Sequence, residues 1–363
     1  MSYQYHIFGR AEPTLVYDHP PFELLLFWPL AYLSYPVAYV LWDLLNVALL
    51  AWSLYLLKPY TARCGTDARL LLTISTIYPL ISTLREGQDS ILLLLAYSVA
   101  FLSLKRDNQF AAGCALGAGL FKFQLVLPLL LVFLVRKRWR IVLAALSAGT
   151  GLGLLSLALV GRKGIHSYVE LLLTVTQHGR HYVPTIGMPN VRGFVETVFA
   201  NRVSHQHLSF LVAVVSVGLL GWTIRQWGNV SWEPRKKTYD LVFSLSLLVS
   251  LLVAYHSFMH NLIVLVLPTA LLLDYCAASG RGAFRRWRPI LPLIVLFLVT
   301  VFLNVEGGNM FSFLFVPLLW FAFAISEEIP LSREWASAQL AIAGAPPRPV
   351  AVAGAHRGGE NRL

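Results

Sequence analysis

The chain has 363 residues, of which 57% are apolar and only 13% charged, and its mean hydropathy is +0.64. A soluble domain carries about 25% charged residues, so an ordinary soluble fold, a disordered chain and a disulfide scaffold are all excluded. The formal charge of +11 lies mostly in short connections, where it reads as membrane orientation rather than as nucleic-acid binding.

A hydrocarbon core of roughly 30 Å needs about 20 mostly apolar residues per helix, so around ten crossings fit. The first twenty residues have no basic stretch followed by an apolar core and do not read as a signal peptide. Residues 1–36 are expected outside the membrane. Apolar runs then predict crossings at 37–57, 70–84, 90–104, 141–160, 208–224, 240–255, 261–277, 289–304 and 311–326. Basic residues fill every second connection: Lys58 with Arg63 and Arg69, Lys105 with Arg106, Arg136 to Arg140, Arg225 to Lys237, and Arg281 to Arg288. Those connections are expected in the cytoplasm, and the alternate ones, 85–89, 256–260 and 305–309, outside.

The run 111–135 has basic clusters at both ends, so it must cross an even number of times. Each arm around Lys122 is only about 16 to 20 Å of helix. The expectation is a helical hairpin with Lys122 near its apex, whose arms approach through Gly113, Gly117 and Gly119; a single tilted helix is the alternative. Residues 161–206 form a long external loop, in which 167–177 alternates as an amphipathic surface helix with Tyr168, Leu171, Leu172 and Val175 on one face. The tail 328–363, rich in Ala, Pro, Gly and Arg, is expected to be a disordered cytoplasmic segment. The fold class is therefore all-α: a polytopic transmembrane bundle over 37–327 with about nine crossings plus a hairpin. Neither a 20- to 50-residue repeat nor an inverted pair of broken helices is visible.

Polar residues within such a bundle are costly and become functional candidates. Lys122 is either a snorkelling or paired lysine or a cation that meets a lipid phosphate. Asp43 reads as a structural hydrogen-bonding group. Asp89 can cap the helix that follows it, which leaves Gln88 beside Glu86 unexplained. His256 and His260 are four apart with Asn261 adjacent, but no acidic third ligand and no HExxH accompany them, so no metal is expected. They suit hydrogen bonding to a sugar or phosphate, or plain helix-end capping. In YDHPPFE, Asp18 and Glu23 could serve as a base for an acceptor hydroxyl; a Pro-Pro turn at a membrane entry is the simpler account. Cys64, Cys114 and Cys276 are scattered and build no framework.

The order YDHPPFELLLFWPLAYLSYPVAYVLWDLLN, then LREGQDSILLLL with AGCALGAGLFK and RKRWR, then YHSFMHNLIVLVLPTALLL resembles glycosyltransferase family 87, over about residues 17–275. These are polyprenyl-phosphate-sugar-dependent, mannosyltransferase-like enzymes of the GT-C superfamily. Gln88, Gly113 and Lys122 fall on the family pattern, His260 and Asn261 occupy its HD or HN position, and Asp89 stands where the family usually has Asn. The resemblance implies a cell-membrane hexosyltransferase without cofactor. Its partners would be a polyprenyl-phosphate-sugar donor, a lipid or glycan acceptor and the membrane lipids. Lys122, Gln88, Asp89, His256, His260 and Asn261 would bind the donor's phosphate and sugar on the outer face. Family members carry their catalytic aspartate in a first external loop after an N-terminal helix, and this chain begins within that loop. The expectation is an upstream segment that holds the base, with Asp18 and Glu23 as the fallback. A transporter or lipid flippase is the rival reading, which predicts internal pseudo-symmetry and charges along a midplane path; a membrane scaffold is a third.

Overall fold

The computed structural model describes residues 19–62, 65–177, 185–199, 202–279, 288–305 and 310–343; Asp18 lies outside them. The described residues are helical without a strand. After a short entry of turns over Pro21–Glu23, Leu24–Phe27 and Trp28–Tyr32, the helices are α1 (Tyr35–Thr61), α2 (Thr66–Arg85), α3 (Ser90–Lys105), α4 (Gln109–Ala118), α5 (Phe123–Val135) and α6 (Trp139–Gln177). They continue with α7 (Val191–Phe199), α8 (His205–Gly228), α9 (Lys237–Val253), α10 (Val266–Ala278), α11 (Leu291–Val305) and α12 (Phe315–Ala343).

By length and composition six helical stretches among the described residues could cross a membrane, one of them the run 109–135 that folds back as described below, and two shorter apolar helices accompany them. Met259–Ala278 is 89% buried and forms the centre, together with α9, whose residues are buried from Thr238 to Leu252. Tyr35–Thr61 and His205–Gly228 are only 22% and 17% buried. Their exposed Leu, Val and Phe side chains would be costly in water and are at home in lipid. Three of the predicted basic connections, 105–106, 136–140 and 225–237, meet at one end of the bundle. There Lys105 Nζ meets Asp240 Oδ1 at 2.6 Å, Lys237 pairs with Asp274 and stands 5.5 Å from the Tyr60 ring, and Arg138 lies 3.8 Å over Trp232.

The hairpin expected at 111–135 is visible in the packing register. Gly113 lies against Ile141 and Ala144, and Gly117 against Ala145 and Ala148. The start of α4 is therefore level with the start of α6, which directly follows the end of α5. A continuous helix would carry those levels about 40 Å apart. The chain turns back through the 3-10 turn Gly119–Lys122. The glycine expectation needs correction, however. Gly113 and Gly117 accommodate α6 rather than the other arm, because a Cβ at Gly117 would sit 2.6 Å from that of Ala148. Of the three glycines, Gly119 does face the second arm, with Val126 3.3 Å from the position of its missing Cβ.

Three further features depart from the sequence pattern. Helix α6 breaks at Gly161, whose φ of 67° and ψ of 179° are accessible to glycine but not to other residues without strain. The segment beyond the break is the expected amphipathic helix, with Ile165, Tyr168, Leu171 and Leu172 half-buried on one face. Two apolar runs that read as continuous helices begin as 3-10 turns, Met259–Leu265 and Phe311–Leu314. Helix α12 runs on to Ala343, well past 328.

Candidate active site

Four interruptions of regular helix converge at the end of the bundle opposite the basic connections. The turn between α2 and α3 closes with Gly87 at φ +60° and with Gln88 N donating to Thr83 O at 2.8 Å. Two aromatic side chains of α1 hold that turn: Tyr39 Oη donates to Leu84 O at 2.7 Å, and Trp42 Nε1 to Gly87 O at 2.9 Å. The others are the 3-10 turns Pro21–Glu23, Gly119–Lys122 and Met259–Leu265. Non-helical backbone at membrane depth is tolerated only where protein or a polar cavity satisfies it, so their convergence marks a built site.

Each turn delivers polar side chains to one place. Lys122 Nζ has three acceptors, Asp89 Oδ1 at 2.7 Å, Ser90 Oγ at 2.9 Å and Asn261 Oδ1 at 3.0 Å, which matches the three protons of an ammonium. Ser90 Oγ also donates to Asn261 Oδ1 at 3.0 Å. On the other side of Asp89, His19 Nδ1 lies 3.4 Å from Asp89 Oδ2 and 2.6 Å from Glu23 Oε2. Phe22 N donates to Ser156 Oγ at 3.0 Å and so fixes the Pro21–Glu23 turn against α6. His260 Nδ1 sits 2.6 Å from Glu86 Oε2, while Ser82 Oγ donates to Glu86 Oε1 at 2.7 Å. Asp89, Lys122, Glu23 and Asn261 are all at least 97% buried.

The expected capping role of Asp89 is not what it performs. It occupies the N-cap position of α3 but makes no side-chain cap bond, because its carboxylate is drawn to Lys122 and His19. Asp43 also differs from expectation: its buried Oδ1 has no hydrogen-bond partner among the described residues. The polar groups around it are engaged elsewhere, Trp42 with the Gly87 carbonyl and Asn46 with Trp42 O. Gln88 is half-buried on the turn beside Asp89. The His256 ring lies 4.6 Å from that of Tyr255.

The connections around the cluster carry its electrostatics. Burial disfavours an imidazolium at His19, but the Asp89 and Glu23 carboxylates outweigh it and push His19 up to about 10. Burial, with Asp89 beside it, pushes Glu23 up to about 7 against the pull of His19. Burial also opposes ionisation of Asp89, yet Lys122 first and then His19 and Glu23 hold it well below the usual carboxylate range. The Glu23 carboxyl is also hydrogen-bonded to that of Asp89, and a carboxyl that titrates near neutrality can exchange a proton at physiological pH. His19, Glu23 and Asp89 bring ligating atoms within 4.8 Å of one another. A divalent cation there would lie against the Lys122 ammonium, which already neutralises Asp89.

Sequence reasoning missed His19 and Ser90 and left Glu86 without a role. The signals were present: His19 and Glu23 are four apart, one helical turn, and Ser90 follows Asp89 directly.

The family model of glycosyltransferase family 87 matches residues 17–254, well over half of the chain. The matched stretch contains His19, Glu23, Glu86, Asp89, Ser90 and Lys122, and it ends before His260 and Asn261. No curated protein and no solved structure matches the chain.

Proposed function

The chain belongs to glycosyltransferase family 87, and from that premise we propose that it moves a hexose, mannose in the first instance, from a polyprenyl-phosphate donor to a lipid or glycan acceptor at the Asp89 cluster. The convergence of six charged or titratable side chains on broken helices at one end of an otherwise apolar bundle carries this reading. The described basic connections lie at the opposite end, and by the positive-inside rule this supports an extracytoplasmic position for the cluster in a cell membrane.

In this mechanism Glu23 takes the proton of the acceptor hydroxyl. The acceptor oxygen attacks the anomeric carbon from the face opposite the phosphate, the carbon–oxygen bond to phosphate breaks, and its electron pair leaves with the polyprenyl phosphate. The glycoside formed has inverted configuration. The leaving phosphate needs fixed positive charge in a poorly solvated place. Lys122 is committed to three acceptors, so its part is to hold Asp89, Ser90 and Asn261 in position and to supply field. His19, a cation with its side chain 24% exposed, stands at the mouth and meets the phosphate directly. Gln88 and the His260–Glu86 pair line the sugar side, and His256 contributes to the rim.

The test is transfer from polyprenyl-phosphate-mannose to total membrane lipid by the purified full chain, compared with Glu23→Gln and Asp18→Asn. Loss of about 10²- to 10⁴-fold in Glu23→Gln with an unchanged thermal midpoint is expected. A loss confined to Asp18→Asn would move the base to that residue, and full activity of both variants would refute a base in this segment.

A further inference from the structure

Away from the Asp89 cluster, a groove of about 310 Å³ opens between α7, the first half of α8 and the Val253–Tyr255 stretch. Its floor is an ion pair. Arg192 Nε meets Glu196 Oε1 at 3.1 Å one turn along α7, and both residues are at least 95% buried. The Arg192 guanidinium lies 4.0 Å over the Tyr255 ring, and its Nη1 donates to Tyr255 O at 3.5 Å. Asn190 fixes this arrangement. It caps α7 by accepting from Gly193 N at 2.8 Å and donates to Ala254 O at 2.8 Å. The opposite wall is one face of α8, His205, Ser209, Val212, Ala213 and Ser216, which spans about 16 Å at 1.5 Å per residue. The adjoining residues Phe210, Leu211, Val214 and Val217 are exposed and apolar, so the groove opens toward lipid.

Burying an ion pair costs several kcal/mol of desolvation that apolar packing would avoid, and here the pair lies at the bottom of an opening rather than in a closed core. The polar lining is balanced in charge and offers both donors and acceptors. A phosphate beside Arg192 would also face the Glu196 carboxylate, whereas a hydroxyl can accept from the one and donate to the other. The small side chains along α8 leave room for an extended apolar chain below that head. We propose that this groove binds the hydroxyl-rich head of an amphiphile, a glycolipid or polyol lipid, with its tail along α8.

The experiment uses the full chain in nanodiscs and a dodecyl glucoside with a diazirine in its alkyl chain. Photolabelling is expected to map to 192–196 or 205–216. It should be displaced by unlabelled dodecyl glucoside and not by dodecyl phosphate or methyl glucoside at equal concentration. Ala213→Phe fills the groove from an exposed position on α8, and should cut labelling at least 10-fold with an unchanged thermal midpoint. Labelling should persist when Asp89→Asn and Lys122→Met are combined, so failure of the transfer reaction and failure of this site are read separately. Equal displacement by dodecyl phosphate, labelling elsewhere, or undiminished labelling of Ala213→Phe would each overturn the proposal.

Discussion

At the basic end of the bundle, Lys105, Lys237, Asp240 and Asp274 pair two against two. At the opposite end, Lys122, His19 and His260 face Asp89, Glu23 and Glu86. Both clusters bury charge, but they are built differently. The basic-end groups project from regular helices or their ends and hold lysines against aspartates, an arrangement that clamps neighbouring helices together. The Asp89 cluster stands on four interruptions of helix and mixes histidines with a carboxyl pushed into the neutral range. Buried ion pairs alone are weak evidence of function; titratable groups on irregular backbone are better evidence.

Mutations should separate the two. The largest effect is expected from Glu23→Gln, the 10²- to 10⁴-fold loss of transfer already described, and its pH dependence sharpens the contrast. Glu23 must be ionised to accept a proton, and His19 must keep its proton to meet phosphate. Transfer should therefore rise as pH passes about 7 and fall near 10. A rate profile flat from pH 6 to 9 would break the assignment. Next in size, Asp240→Ala removes the buried partner of the partly buried Lys105 and is expected to cost about 3 kcal/mol of stability, read by thermal denaturation. Transfer per folded molecule should be unchanged, and a specific loss would erase the distinction between clamp and site. Gly87→Ala should cost about 1 kcal/mol, because φ of +60° strains an alanine while its methyl meets only ordinary contact, Tyr39 at 3.7 Å. The smallest effect belongs to Glu86→Gln. The Glu86 side chain is 48% exposed, and a half-exposed pair is worth about 0–1 kcal/mol.

Much of this division was legible in the sequence. Leucine- and valine-rich runs located most of the apolar helices to within a few residues, and the basic connections identified the end where Lys105 and Lys237 cluster. Charge at both ends of 111–135 implied the fold-back, and a lysine in its middle implied the apex. What escaped is what tertiary contacts decide. MHNLIVL is as apolar and regular as the α10 residues that follow it, and nothing local announces a 3-10 turn. Gly113 and Gly117 signal close approach but not to which helix. Asp89 satisfies every local criterion for a cap, and only the arrival of Lys122 and His19 from distant segments diverts it. His19 became visible as a site residue only when the Pro21–Glu23 turn was packed against α6.

The central claim is that the charge pair at Asp89 serves transfer rather than folding, and the doubly neutral variant Asp89→Asn with Lys122→Met measures it most directly. Removing both charges leaves no unpaired ion, and Ser90 and Asn261 keep their mutual hydrogen bond, so the fold should survive with a thermal midpoint near that of the parent. Transfer from polyprenyl-phosphate-mannose, measured per folded molecule, should fall by about 10²-fold or more. Transfer at the parental rate from a well-folded double variant would contradict the account and make the Asp89–Lys122 pair a second clamp.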